Sequence, residues 1–223
     1  MIKYLEWDSN FFNKKIGRFD INSASKHEWP SDNELCKFDL IYIFSTEILN
    51  LKLQPIDVKV TYKKLVSNRQ ALENVKIFDQ NIHSYTQLLE LVYLSGHDSR
   101  FLRDQFFGEE NYKRLYKKWI DNSIQSNDST VLVSVGGNKI LGFVTMEERE
   151  QGNSIGLIAV GNKSQGKGIG NKLVRSVESL SIPNTELTVC TQATNTGACR
   201  FYENLDFKVG NKEYIYHYAV STL

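Results

Sequence analysis

Residues 161–170, GNKSQGKGIG, combine closely spaced glycines with polar side chains. An apolar run, Ile155 to Val160, precedes them and is short enough for a buried strand. Helical spacing follows at Ile169, Leu173, Val177 and Leu180. Glycines let several backbone N–H groups and the positive end of the helix dipole converge on an anion. The stretch therefore predicts a site for a phosphate-bearing ligand, and an ordinary strand-to-helix turn is the other explanation.

Three phosphate-binding loops have similar spacing. Residues 161–167 fit the Walker pattern G-x-x-x-x-G-K, but Gly168 stands where a Ser or Thr hydroxyl would bind magnesium. The dinucleotide fingerprint would need its third glycine at Asn171. Residues 165–170, QGKGIG, follow R/Q-x-x-G-x-G/A without a defect. With the preceding strand, this segment resembles the acetyl-coenzyme A loop of the GNAT superfamily of N-acyltransferases.

The GNAT resemblance covers roughly residues 130–220 and implies acetyl-CoA as the co-substrate. In that family the loop amides bind the coenzyme A pyrophosphate, and the matching residues here are Gln165, Gly166, Lys167, Gly168, Ile169 and Gly170. The strand before the loop splays from its neighbour so that pantetheine can bond to the backbone. By position, those backbone groups belong to Leu157, Ile158, Ala159 and Val160.

Residues 195–207, NTGACRFYENLDF, resemble the other GNAT signature, N-x-x-A-x-x-F-Y-x-x-x-G-F, with Asp206 replacing the usual glycine. Asn195 is predicted to cap a helix and is placed among the coenzyme A contacts. The resemblance implies that Tyr202 is the general acid. A phenol with a pKa near ~10 stays protonated at neutral pH and can give a proton to the departing thiolate. The alternative is a tyrosine packed on a helix stripe beside Phe201.

An amine must be neutral to attack a thioester, so a base or a water chain is needed. Glu147 and Glu148 end the strand that precedes the loop strand, and strand alternation puts them on opposite faces. Glu148 is the predicted base, although a solvated strand end explains both residues equally well. A backbone amide of the loop strand is the simplest oxyanion donor.

The whole chain resembles the TDP-fucosamine acetyltransferases, GNAT enzymes that N-acetylate TDP-4-amino-4,6-dideoxy-D-galactose for bacterial surface polysaccharide. Matching segments include residues 5–12 (LEWDSNFF), 99–101 (SRF), 119–122 (WIDN) and 155–157 (IGL). A nucleotide-linked amino sugar is therefore the expected acceptor. Two arginines could meet its diphosphate, and phenylalanines could pack on its sugar or base. These residues are Arg100, Arg103, Phe101, Phe106 and Phe107; surface charge or core packing explains each of them equally well.

Two other functions stay open. A protein or peptide N-terminal acetyltransferase of the same superfamily would need an open groove, whereas the additional N-terminal segment favours an enclosed site. A non-catalytic coenzyme A-binding module would bind the carrier without turnover. The resemblance to the family also implies a homodimer, which is expected on that ground alone.

Composition excludes several classes of function. Lys and Arg number 27 against 26 Asp and Glu, a balance that argues against a nucleic-acid-binding surface. A membrane-spanning helix and a signal peptide are not expected, because the chain has no long apolar run and begins MIKYLEWDSNFF. The spacing of Cys36, Cys190 and Cys199 matches no zinc site, so no metal is expected. So few cysteines indicate a cytoplasmic protein.

The chain is long for one minimal domain, with 223 residues. We expect a small N-terminal α/β domain over 1–68 and a GNAT domain over 75–223. The fold class implied by the resemblance is α/β (α+β), with a central mixed, mostly antiparallel sheet flanked by helices. Residues 8–12 are predicted to form a polar turn that leads into aromatic core residues, and residues 207–220 an antiparallel hairpin turning at Gly210.

Overall fold

The computed structural model describes residues 1–21, 29–50, 53–67 and 74–219. The helices are α1 (Glu6–Phe12), α2 (Asp32–Leu35), α3 (Tyr85–Ser95), α4 (Arg100–Arg103), α5 (Gly108–Gln125), α6 (Ile169–Leu180) and α7 (Thr196–Glu203). The strands are β1 (Lys3–Tyr4), β2 (Ile16–Ile21), β3 (Leu40–Ser45), β4 (Asp57–Leu65), β5 (Val75–Ile77), β6 (Ser129–Gly136), β7 (Lys139–Arg149), β8 (Gly152–Val160), β9 (Glu186–Gln192) and β10 (Lys208–Ala219). A short 3-10 turn, Asn162–Ser164, precedes α6. None of the described helices is both long and apolar enough to cross a membrane.

Within the described residues, the ten strands form one sheet in the order β1-β2-β3-β10-β4-β9-β8-β7-β6-β5. The pairs β2/β3 and β8/β9 are parallel. The other neighbours are antiparallel. The predicted mixed, mostly antiparallel sheet is confirmed.

Alternation along β6 builds a separate core on each face of the sheet. Val131 and Val133 pack in one cluster with residues of α3, α4 and α5. Leu132, between them, belongs to a second cluster with residues of α6 and α7. Successive strand side chains point to opposite faces, so helices α3–α5 cover one side and α6 and α7 the other.

The N-terminal segment contributes to the same sheet as the rest of the chain. Strand β10 lies between β3 and β4, and β4 pairs with β9 on its other side. Strands β3 and β4 therefore lie on either side of the C-terminal strand, and an independent domain over 1–68 stays a prediction.

Two sequence predictions were wrong. The segment expected as a polar turn, residues 8–12, lies within helix α1. The expected hairpin at Gly210 is a continuous strand, because β10 is hydrogen-bonded to β3 on one edge and β4 on the other. Gly210 is accommodated as an irregularity between Val209 and Asn211, where an added Cβ would lie 2.9 Å from Lys63 Cδ.

Helices α6 and α7 follow the sequence signals closely. Ile169, Leu173 and Val177 of α6 are buried as predicted, whereas Leu180 is exposed at the end of the helix. Asn195 caps α7, since its Oδ1 accepts a hydrogen bond of 3.0 Å from the amide of Ala198.

The turn after α7 accommodates the departure from the GNAT pattern at position 206. Asp206 has φ of 66°, the left-handed conformation that glycine favours. Asp adopts this conformation more readily than most residues. The substitution therefore preserves a turn that leads into β10.

A buried ion pair fastens β4 to α6. Lys64 Nζ lies 2.6 Å from Glu178 Oε1, and the two side chains are 10% and 1% exposed. The same ammonium donates a 2.7 Å hydrogen bond to the carbonyl of Leu205, just after α7. One cation thus links β4, α6 and the turn after α7.

Lys64→Met is expected to lower the free energy of unfolding by about 3 to 5 kcal/mol, because it removes a buried cation that contacts the Glu178 carboxylate and the Leu205 carbonyl. Urea denaturation measures the change. Lys63→Met is the matched control, since Lys63 pairs with Glu186 at 3.3 Å with both side chains about half exposed. That exposed pair is worth under about 1 kcal/mol, and equal losses in the two variants would contradict the prediction.

Candidate active site

The glycine-rich loop, the start of α6 and helix α7 enclose a cavity of about 660 Å³, here called the loop cavity. Gly166 and Gly168 have φ of 74° and 75°, in the left-handed region. A Cβ added at either would meet no atom within 4 Å, so it is the backbone that requires glycine there. Gly168 is the N-cap residue of α6 and makes no side-chain hydrogen bond, so it leaves the first-turn N–H groups free of a cap of its own.

Most of the predicted coenzyme A contacts line the loop cavity: Ile158, Ala159, Val160, Gln165, Gly166, Gly168, Ile169, Gly170 and Asn195. Leu157 instead lines the two cavities described below. Lys167 lines none of the three, and its Nζ donates to the carbonyl of Lys163 at 2.9 Å. Sequence reasoning missed the cavity residues Ser164, Asn171, Gly197, Ala198, Phe201, Asn204 and Leu205. Each of these lies within or beside a motif that the sequence had marked.

Strands β8 and β9 separate next to the loop cavity. Strand β8 pairs with β7 along its length, but with β9 only over residues 152–155. At the separation, Gly156 and Leu157 oppose the single residue Thr145 of β7, which is a β-bulge. Thr145 Oγ1 accepts a 2.8 Å hydrogen bond from the amide of Leu157. Residues 156–160 consequently have no strand partner on the β9 side among the described residues, and a gap opens through the sheet.

Tyr202 lies at this gap. Its ring packs with centroid distances of 5.7 Å to both Tyr62 and Phe207, and the residue is 3% exposed. Its hydroxyl makes no hydrogen bond within the described ranges. Burial raises the pKa of the phenol above its usual value, so the group is protonated at neutral pH.

A second cavity, of about 250 Å³, lies across the gap on the α3–α5 side and is here called the central cavity. It shares four lining residues with the loop cavity: Ile158, Asn195, Ala198 and Tyr202. Polar side chains of β4, β9 and the helices complete it: Asp57, Lys59, Ser95, Ser99, Arg100, Thr191 and Gln192. The two cavities therefore meet at the Tyr202 side chain from opposite faces of the sheet.

A third cavity, of about 430 Å³ and here called the outer cavity, adjoins the central one along Trp119, Gly156 and Leu157. Its remaining lining is hydrophilic: Asn122, Ser123, Ser126, Ser129, Thr145 and Glu147. Glu148, the predicted base, is exposed and lines none of the three cavities. The geometry points to Glu147 as the inward-facing member of the pair.

The two predicted arginines have different surroundings. Arg100 lines the central cavity, with its guanidinium 4.3 Å from the ring centroid of Phe101. Its Nε is buried and has no hydrogen-bond partner in the described part of the chain, and burial lowers its pKa. Arg103 lies outside the three cavities and donates a 2.8 Å hydrogen bond to the carbonyl of Ile56.

The predicted aromatic contacts also differ. Phe101 lines the central cavity. Phe107 is a core residue that packs on Phe12 at 4.6 Å and lines none of the three cavities. Phe101 is thus available to a ligand in a way that Phe107 is not.

The family model for the acetyltransferase (GNAT) domain matches residues 96–218, more than half of the chain. The chain belongs to the GNAT acetyltransferase family. This membership confirms the prediction that the protein is an acyltransferase enzyme. Strands β1–β5 precede the part of the chain that the family model matches.

One curated relative is the spore coat polysaccharide biosynthesis protein SpsD of Bacillus subtilis (strain 168), 24% identical over 134 residues. The match covers 58% of this chain and 46% of SpsD, so the chain matches about half the length of that relative.

Among solved structures, a conserved protein of unknown function from Staphylococcus epidermidis ATCC 12228 has a TM-score of 0.66 at 14% identity. It covers 98% of this chain, and 90% of its own chain is matched. A GNAT-family protein from Novosphingobium aromaticivorans DSM 12444 has a TM-score of 0.53 at 12% identity, covering 82% of this chain and 75% of its own. These likenesses show the same fold, and the first includes the N-terminal strands.

Gly168→Ala is expected to raise the dissociation constant of acetyl-CoA about 5- to 30-fold. A left-handed residue with a Cβ costs about 1 to 2 kcal/mol, which depopulates the loop conformation competent to bind. Isothermal titration calorimetry measures the affinity. Gly137→Ala is the control, because Gly137 also has positive φ, 60°, and no atom within 4 Å of an added Cβ, but lies in the β6–β7 turn. Equal affinity losses in both variants would refute a specific role for the loop.

Proposed function

We propose that this enzyme transfers acetyl from acetyl-CoA to the amino group of an amino sugar. A nucleotide-linked sugar such as TDP-4-amino-4,6-dideoxy-D-galactose is the acceptor that we favour. The observation that carries the proposal is the meeting of the loop cavity and the polar central cavity at Tyr202. This arrangement offers separate chambers for an acyl donor and a small acceptor, joined where a phenol is available.

The loop cavity has the features that acetyl-CoA needs. Uncapped N–H groups at the start of α6 suit the diphosphate. The unpaired edge of residues 157–160 suits the amides of pantetheine, which would extend the sheet toward the gap. In this pose the thioester reaches the gap, next to the Tyr202 hydroxyl.

Tyr202 acts as the general acid in the proposed reaction. The acceptor nitrogen attacks the thioester carbon, the C–N bond forms and the C–S bond breaks, and Tyr202 protonates the leaving thiolate. A phenol kept neutral by burial holds its proton until that thiolate develops. An amide of β8 at the gap would stabilise the oxyanion.

The acceptor side favours a hydroxyl-rich ligand. Serine, asparagine and glutamate side chains line the outer cavity, while Trp119 borders both it and the central cavity. Hydroxyl groups of a sugar can bond with such side chains while one face packs on the indole. The similarity to SpsD, a spore coat polysaccharide biosynthesis protein, agrees with a sugar acceptor. A diphosphate contact by Arg100 belongs to the proposal and uses its unpartnered Nε.

Tyr202→Phe is expected to reduce kcat by about 10² to 10⁴-fold, the range for removing a general acid. The KM for acetyl-CoA should stay close to wild type, because the ring that packs the site is retained. Tyr62→Phe is the matched control, since the Tyr62 hydroxyl donates to Glu203 at 2.8 Å. A Tyr202→Phe variant with the wild-type kcat would show that Tyr202 is not the general acid.

The acceptor is tested by free-thiol release from acetyl-CoA with TDP-linked amino sugars, UDP-linked amino sugars and N-terminal peptides in parallel. We expect turnover with a nucleotide-linked amino sugar and none above background with peptides. Turnover with peptides alone would reject the sugar acceptor, and coenzyme A binding without any turnover would favour a non-catalytic module.

A further inference from the structure

Asp57 is a buried carboxylate at the site that no sequence motif marks. It is the first residue of β4, in the part of the chain that precedes the family match. Its side chain is 3% exposed, and the residue lines the central cavity together with Tyr202. The N-terminal segment thus supplies an acidic group to the chamber that faces the acyl donor.

One oxygen of this carboxylate has no donor. Asp57 Oδ1 is buried and makes no hydrogen bond to any described residue. The guanidinium of Arg103 lies 3.7 Å from that oxygen, beyond hydrogen-bond distance, and already donates to the Ile56 carbonyl. A buried acceptor without a donor costs about 1 to 3 kcal/mol, and more when charged. Asp57 as a residue lines the central cavity, so a small movement of its carboxylate would let this oxygen receive a donor from a ligand.

We propose that Asp57 binds the ammonium group of the acceptor through Oδ1 and takes its first proton. This inference rests on the proposed function and adds the base that the reaction needs. A primary ammonium supplies the missing donor and an opposite charge, which makes a charge-assisted hydrogen bond. Among the described residues, the charged donor nearest to that oxygen is Arg103, which at 3.7 Å is too distant for a hydrogen bond.

The surrounding charges favour proton loss from the bound ammonium. Arg100 and Arg103 of α4, Gln192 of β9 and Tyr116 of α5 face Asp57. Burial raises the pKa of the Asp57 carboxyl, and the two arginines oppose that rise. The same two guanidiniums disfavour a third positive charge beside them, so the amine is driven toward its neutral form.

The protons balance in this scheme. Asp57 takes one proton from the ammonium, and the neutral nitrogen attacks the thioester carbon. Tyr202 gives its proton to the sulfur, and the second nitrogen proton restores the phenol. The proton on Asp57 leaves to solvent, so one acetyl group is transferred and one net proton is released.

Glu147 is the competing carboxylate and fits this role less well. Its side chain is 39% exposed and accepts a 2.9 Å hydrogen bond from Arg149. It lines the outer cavity, which does not include Tyr202. Its carboxylate therefore already has a cationic partner, and Glu147 is not among the residues that line the central cavity.

The test is Asp57→Asn, which keeps the shape of the side chain and removes the charge. With the amino sugar that gives most thiol release in the acceptor panel, kcat/KM at pH 7 is expected to fall about 10² to 10⁴-fold. Acetyl-CoA affinity, measured by calorimetry, should be unchanged and also reports that the variant is folded. As the pH rises, the difference in kcat/KM between Asp57→Asn and the wild type should become smaller. At high pH the amine in solution is already neutral and needs no base to remove its proton.

The controls separate this role from a structural one. Asp20→Asn removes an exposed carboxylate that pairs with Arg18, and it should match wild type. For Glu147→Gln, any loss of kcat/KM relative to the wild type should stay the same as the pH rises. A deficit in Asp57→Asn that is constant with pH, or wild-type kcat/KM, overturns the proposal.

A second measurement does not depend on how the variant folds. On the wild-type enzyme, the hydroxyl counterpart of the amino sugar should bind at least about tenfold more weakly, since it lacks the charge that Asp57 receives. Equal binding overturns the proposal. If peptides are the acceptors, the same comparison uses the peptide and its N-terminally acetylated form, so a wrong acceptor class and a wrong role for Asp57 give different results. No turnover with any amine rejects the proposed function and the Asp57 role with it.

Discussion

The separation of β8 from β9 is the constraint on which the site depends. Backbone groups inside a sheet need partners, and a parallel pair that stops after four residues leaves one strand edge without them. The bulge opposite Thr145 directs β8 away, while β9 stays paired with β4 along its whole length. The sheet is therefore rigid on both sides of an opening. Two chambers on opposite faces can communicate only because the ladder ends there.

The N-terminal strands contribute to the central cavity on one side of this opening. Strand β4 buttresses β9, and its first residue enters the central cavity. The buried Lys64–Glu178 pair ties the other end of β4 to α6, which begins at the glycine-rich loop. One strand thus fixes both chambers relative to each other. This arrangement gives the residues outside the family match a direct part in the site's geometry.

Local motifs marked the glycine-rich loop and the cap of α7 in the sequence, whereas long-range pairing left much of the central cavity unmarked. Loop glycines and the Asn195 cap act through backbone geometry within a few residues, so their spacing is visible in sequence. Gly210 resembles a turn locally, and only strands far away in sequence keep β10 straight. The choice between Glu147 and Glu148 depends on which face of β7 points toward the cavities. Alternation shows that the two side chains point to opposite faces, but not which of them points inward. Asp57 has no local pattern at all, because its missing donor is a property of three-dimensional packing.

The position of β10 also has a consequence for how the molecule is assembled. It is synthesised after every other strand of the described sheet, yet it lies between β3 and β4. Until β10 is made, the facing edges of β3 and β4 have unpaired backbone N–H and C=O groups, and exposed strand edges promote aggregation. Such distant pairing also slows folding, since long loops must close before their contacts form. The ten-stranded sheet can therefore be completed only after the last of its strands has been synthesised.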